Sequence, residues 1–167
     1  MRRVRIDLLV KESLKMYKTI IQYKEIELKI DIPESLEVYA DSDLLSCIIR
    51  NLVSNAIKYT PAEGIISINC YISSNFVTVM VSDTGTGILF KNFEDIFRNK
   101  SHISNPGLMQ EKGSGLGLKL CKEFAELNGG NIWVTNNDEK GSCFMFTIMN
   151  GYNYFSTEKK MEISEAY

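Results

Sequence analysis

Histidine is all but missing from this chain: His102 is the only one among 167 residues. A metal site with ordinary ligand spacing is therefore not expected. Long apolar runs are missing too. No stretch approaches the roughly 20 residues of a membrane span, and the opening "MRRVRIDLLVKE" lacks the continuous apolar core of a signal peptide. No sign of charge dominates, because 19 basic against 21 acidic side chains leave a net charge of -2. A general binder of nucleic acid or anionic membrane is therefore not expected. The four cysteines, Cys47, Cys70, Cys121 and Cys143, form no CxxC pair and lie in apolar stretches, which predicts buried thiols in a reducing, cytoplasmic setting. At this length a single domain buries about two-thirds of its unfolded surface and needs neither disulfides nor structural metal.

What is present is patterned. Ile6, Val10, Leu14, Tyr17 and Ile21 recur at helical steps and predict a helix over 6–22. "EIELKIDI" alternates Ile26, Leu28, Ile30 and Ile32 with charged residues, which predicts a half-buried strand stopped by Pro33 and followed by a short strand, "EVYA". Asp41 is a natural N-cap for a second helix to about Tyr59. On that helix Asn51, Asn55 and Lys58 share one stripe beside a broad apolar arc. "GIISINCYI" and "FVTVMVSD" predict an antiparallel hairpin ending at Asp83. Regular patterning then gives way to a short helix near Phe93 to Phe97 and a long polar loop, of the kind that is usually functional or mobile. A third helix from Ser114 to about Asn128, capped by Gly129, leads into a last hairpin of "NIWVT" and "GSCFMFTIM". Residues 151–167 read as a tail after a domain spanning 1–150.

Three short segments carry chemical possibilities. "GSGLGL" sets Gly113, Gly115 and Gly117 at alternate positions before a helix. It fits neither the GxGxxG of a Rossmann turn nor the GxxxxGK[ST] of a P-loop, and the chain has no HRD or DFG. Backbone amides bared by glycine at a helix N-terminus suit a phosphate, and a hinge with close helix packing would leave the same pattern. In "SDTGTGI", Asp83 at a strand end can accept from an amine while the bare backbone of Gly85 and Gly87 lies against a flat ring, although a plain Asp-Gly turn reads identically. In "RNLVSNAIKYT", Asn55 offers a neutral oxygen to Mg²⁺ and Lys58 a positive charge to phosphate, where an ordinary helix would simply have a solvated face.

In this order, NxxxNxxKY, DxGxG and GxGLGL resemble the boxes of the catalytic, ATP-binding domain of bacterial sensor histidine kinases. The wider superfamily also holds DNA gyrase B subunits, a heat-shock chaperone and the mismatch-repair MutL proteins. "IIRNLVSNAIKYTP" resembles the N box, "VSDTGTGI" the G1 box, "FEDIFR" the F box, and "KGSGLGLKLCKEFAELNGGNIWV" the G2 box with its helix and strand. The resemblance covers roughly residues 5 to 149. It implies an α/β two-layer sandwich of the Bergerat type, with a mixed sheet of about five strands covered on one face by about three helices.

The same resemblance assigns roles. Asn55 would bind Mg²⁺, Lys58 would contact phosphate, Tyr59 would stack on adenine and Asp83 would accept from the adenine amine. Gly85, Gly87 and Ile88 would line the base. Gly113, Ser114, Gly115, Leu116, Gly117 and Leu118 would seat the triphosphate of ATP, Thr147 would lie on the last strand beneath Asp83, and residues 98–112 would form a lid. Asn51 stands where ATP-hydrolysing relatives carry a glutamate, and an amide cannot act as a general base. Transfer to a protein histidine is thus implied, with a dimerisation and phosphoacceptor domain and a response regulator as partners and an isolated domain that is monomeric. Residues 1–24 hold no acceptor histidine, and His102, falling in the lid, reads as an exposed loop residue rather than an acceptor. The alternatives are a serine kinase of the anti-sigma-factor type and an ATP-binding module without catalysis.

Overall fold

A computed structural model describes residues 1–88, 96–97, 116–138 and 140–151. The longest helix, α3 (Ser42–Tyr59), shows why its segment is helical. The Asp41 carboxylate accepts from the backbone N–H groups of Asp43 and Leu44 at its start, and Leu45, Ile48, Ile49, Leu52, Val53, Ala56 and Ile57 form one buried side. It packs on α1 (Ile6–Leu14), on α4 (Leu116–Leu127) and on the strand β5 (Phe76–Asp83).

The sheet has seven strands: β1 (Arg2–Arg5), β2 (Glu27–Asp31), β3 (Glu37–Ala40), β4 (Ile65–Ile72), β5, β6 (Ile132–Asn136) and β7 (Ser142–Asn150). Their order is β1-β3-β7-β5-β4-β2, and β6 pairs with the first part of β7 on the edge that β3 takes up further along. β2 runs parallel to β4 and every other pairing is antiparallel, so the sheet is mixed. Helices cover one face. Ile66 and Ile68 of β4, Val77, Val79 and Val81 of β5, and Phe144, Phe146 and Ile148 of β7 alternate into a common core with the apolar sides of the helices.

Three expectations need correction. The mixed sheet has seven strands where the resemblance implies about five: the six segments that read as strands all pair, and Arg2–Arg5 adds a seventh, antiparallel to β3. Arg5 then closes the corner into α1 with two hydrogen bonds to the buried Asp7, at 2.9 and 2.7 Å. The helix expected over 6–22 is interrupted: Lys15–Tyr17 tightens to a 3₁₀ turn before α2 (Lys18–Tyr23) resumes. There the Tyr17 hydroxyl donates to the Arg50 carbonyl of α3 at 3.1 Å. Finally, β2 is less buried than its alternation suggests. It is an outermost strand with one neighbour, and exposure rises from 7% at Ile26 to 40% at Ile30.

All four cysteines are free, but against the expectation of buried thiols only Cys121 is buried, and Cys47, Cys70 and Cys143 are half-buried. Burial, helped by the neighbouring Cys47, pushes the Cys121 thiol up to about 12, so it behaves as a small apolar residue between α4 and α3. No helix among the described residues is long and apolar enough to cross a membrane.

The burial of α3 predicts an asymmetry measurable by urea unfolding. Leu52→Ala, at a fully buried position, should cost about 2 to 5 kcal/mol. Leu127→Ala, on the exposed side of α4, should stay within about 0.5 kcal/mol. Equal shifts in the two variants would contradict this placement of the core.

Candidate functional site

Because seven apolar side chains of α3 face inward, its stripe of Asn51, Asn55, Lys58 and Tyr59 emerges half-buried along the helix flank. Asn51 and Tyr59 are eight residues apart, so the stripe extends about 12 Å along the axis. Each end meets a different glycine segment.

At the Tyr59 end lies the loop that follows β5. A side chain at Gly85 would overlap the backbone carbonyl of Tyr59 and stand 2.7 Å from Asp83 Oδ1, so only glycine lets this loop close against α3. Beyond it, the Asn136 side chain grips Ile88 twice, accepting from its N–H at 2.8 Å and donating to its carbonyl at 2.9 Å. Gly87 lies between these two fixed points. The Lys58 ammonium sits 5.3 Å from the centre of the Tyr59 ring, within cation–π range.

Asp83 is the most constrained group of the site. It is 3% exposed. Its carboxylate accepts from the Gly85 N–H at 2.8 Å, from the Ser142 hydroxyl at 2.7 Å and from the Ser142 N–H at 3.4 Å. Burial nevertheless outweighs these donors and holds its pKa above the ordinary carboxylate value. Asn137 fixes the strand end behind it by donating to the carbonyl of Asp83 and to the Ser82 hydroxyl.

At the Asn51 end, α4 begins. Asn51 donates through Nδ2 to the Cys47 carbonyl at 2.9 Å, which leaves Oδ1 turned to α4, where a side chain at Gly117 would come within 2.6 Å of it. Gly117 thus lets the first turn of α4, with its positive dipole end, reach the amide stripe. Leu116 is exposed and Leu118 half-buried in the same turn. Gly113, Ser114, Gly115, the lid assigned to 98–112, His102 and Phe93 lie outside the described residues. Phe97 is described: it is buried, edge-on to Phe144 with ring centres 6.5 Å apart.

One assignment moves. Thr147 pairs across from Thr78, five residues before Asp83 at the end of β5, and its hydroxyl accepts from the Asn131 N–H at 2.8 Å. It does not touch Asp83. The residue that does is Ser142, at the other end of β7. Counting strand positions back from the turn "NNDEKG" would have shown it, since the last strand begins beside the end of β5 in an antiparallel pair.

Residues 40–151 match the family of histidine kinase-, DNA gyrase B-, and HSP90-like ATPases. The chain belongs to that family. It is similar to the adaptive-response sensory kinase SasA of Rippkaea orientalis, 36% identical over 145 residues, which cover 86% of this chain and 37% of the relative. Among solved structures it superposes on the catalytic domain of the histidine kinase ThkA with a TM-score of 0.76 and 28% identity, over 89% of this chain and 95% of that one. ThkA in complex with the response regulator protein TrrA gives a TM-score of 0.73 at 27% identity, covering 89% of this chain and 41% of that one. The chain thus spans little more than a third of the curated relative it matches, and its fold is that of a histidine kinase catalytic domain.

A cavity of about 580 Å³ lined by Arg2, Arg3, Arg5, Lys11 and Lys15 lies at the β1–α1 corner, among residues that the three motifs do not include. Several of these cations are engaged already, Arg2 with Ser42, Arg3 with Glu37 and Arg5 with Asp7.

The raised pKa of Asp83 gives a stability prediction of definite sign. A carboxyl whose folded pKa lies above its unfolded value favours the fold when protonated, and that contribution is lost as pH rises through the folded value. At pH 7 the buried charge therefore opposes folding, and Asp83→Asn should unfold at an equal or higher denaturant concentration than the unmutated protein. A clear loss of stability in Asp83→Asn at pH 7 would contradict it.

Proposed function

We propose that this chain binds Mg-ATP along the flank of α3 and transfers its γ-phosphoryl group to a histidine on a dimerisation and phosphoacceptor domain. The observation that carries this reading is the spacing on one helix: Tyr59 adjoins buried Asp83 and Gly85 at one end, and Asn51 adjoins the first turn of α4 at the other. A nucleotide laid along this flank would have its base at the carboxylate and its phosphates at the helix N-terminus.

In this reading Asp83 accepts from the adenine amine. Its own donors, Ser142 and Gly85, fix the carboxylate before the base arrives. Tyr59 offers a ring to the base and Lys58 a charge to the phosphates, with the two side chains already in contact. Gly113, Ser114 and Gly115 would complete the phosphate seat with the amides of Leu116, Gly117 and Leu118. Asn55, a half-buried neutral amide on the same stripe, suits a hard cation whose remaining ligands are water and phosphate. When bound there, Mg²⁺ would supply positive charge against the phosphate oxygens.

Asn51 has no basic group, and its nitrogen is committed to the Cys47 carbonyl. It cannot activate water, which favours transfer over hydrolysis. The acceptor imidazole brings its own nucleophile: its nitrogen forms the bond to phosphorus, the bond from phosphorus to the bridging oxygen breaks, and ADP leaves. Positioning and charge stabilisation are then what the domain contributes. That ThkA forms a complex with a response regulator supports a downstream receiver as the next partner.

Calorimetry tests the base end: Asp83→Asn should lower ATP affinity by about 1 to 3 kcal/mol, as expected when a matched buried partner is lost. Unchanged affinity would remove the adenine assignment. Asn55→Ala should abolish the Mg²⁺-dependent part of ATP binding while leaving the Mg²⁺-independent part in place.

Radiolabelled ATP tests the transfer. Mixed with a separate phosphoacceptor domain, the chain should produce an acid-labile, base-stable phosphate on that domain and hydrolyse ATP slowly in its absence. Acid-stable phosphate on the partner would favour a serine kinase instead.

A further inference from the structure

Lys24 follows α2 and is 5% exposed, an unusual place for an ammonium group. Its Nζ donates to the carbonyl of Ile57 at 2.6 Å and to that of Thr60 at 2.5 Å. These two carbonyls bracket Lys58 and Tyr59. A helix end leaves its last carbonyls without intrahelical partners and carries partial negative charge, so an ammonium there satisfies both needs.

The clamp extends through the backbone. The carbonyl of Lys24 accepts from the Glu63 N–H at 2.9 Å, and the Glu27 N–H donates to the Gly64 carbonyl at 2.9 Å. The connection from α3 to β4 is therefore held on both sides by the segment around Lys24. Between the two clamped carbonyls lies that of Tyr59, the atom against which Gly85 closes beside Asp83. A small rotation of this last helical turn would move the Tyr59 carbonyl into Gly85 or away from it.

We infer that Lys24 is a positioning residue for the base end of the nucleotide site: by holding the last turn of α3 it sets Tyr59 and the Gly85 loop at the separation that accepts adenine. This rests on the nucleotide reading above. Lys24 touches no nucleotide itself, and Asn51 lies about two turns away; the turn it holds carries Lys58 as well as Tyr59, so its effect on the base end is read from two nucleotides that carry the same phosphates.

ADP and GDP carry the same phosphates and differ in the base, so their affinity ratio isolates that end. Measured by calorimetry well below the unfolding midpoint, Lys24→Met should lower the ratio of ADP to GDP affinity about tenfold, the scale of one matched buried contact, whatever loss the two nucleotides share through Lys58. Lys24→Arg should recover part of the ratio by keeping donors at the carbonyls. A Lys24→Met protein that is less stable yet keeps the full preference for ADP would show a merely structural role and overturn the inference. A protein that shows no preference for ADP before any substitution would instead overturn the nucleotide reading.

If Lys24→Met does not fold, the ammonium resonance of Lys24 in the unmutated protein decides the matter by ¹⁵N NMR. It should shift further on adding ADP than on adding GDP. A resonance indifferent to both would count against the clamp.

Discussion

Seven apolar side chains of α3, from Leu45 to Ile57, are shut against the sheet and the neighbouring helices, and their burial fixes the rotation of the helix. At 100° per residue no freedom then remains in where the flanking stripe emerges. Asn51, Asn55, Lys58 and Tyr59 are presented because the core holds the opposite side. The glycines follow from the same seating: with α3 this close, Gly85 and Gly117 are the only size of residue that its carbonyl and amide oxygens permit beside them.

Asp83 shows how such a site opposes the stability of its own fold. A carboxylate withdrawn from water loses solvation that its donors restore only in part, and the balance appears as a raised pKa. An apolar residue at the end of β5 would suit the core better. The polar group persists in a frame that holds it rigidly, Ser142 and Gly85 at the carboxylate and Asn137 at the carbonyl, so the mouth of the site is organised before any ligand enters.

Much of this was legible in the chain, and the parts that were not have physical causes. Long amphipathic segments such as α3 announce themselves because many residues repeat one period, and the β4–β5 hairpin did so by its β-branched alternation. Strand β1 has only four residues, three of them arginine, and pairs because β3 offers an edge rather than from any pattern of its own. At the Lys15–Tyr17 interruption a hydroxyl reaches a carbonyl in another helix, a contact remote in sequence. Ser142 was missed and Thr147 favoured because identifying the neighbour of Asp83 requires the register of β7 on β5. Asp83 and Gly85 stand together in one motif, whereas nothing local marked Lys24, whose ammonium meets carbonyls of α3 and of the residue after it.

Strand β7 is bonded along both edges, to β5 on one side and to β6 and then β3 on the other. Without it, β1 and β3 share no ladder with β2, β4 and β5, and the sheet falls into separate pieces. During synthesis from the N-terminus these pieces must wait, unjoined, until the last described strand leaves the ribosome. The cooperative unit is thus completed late, and a nascent chain stalled anywhere before Ser142 would present unpaired strand edges to chaperones and proteases.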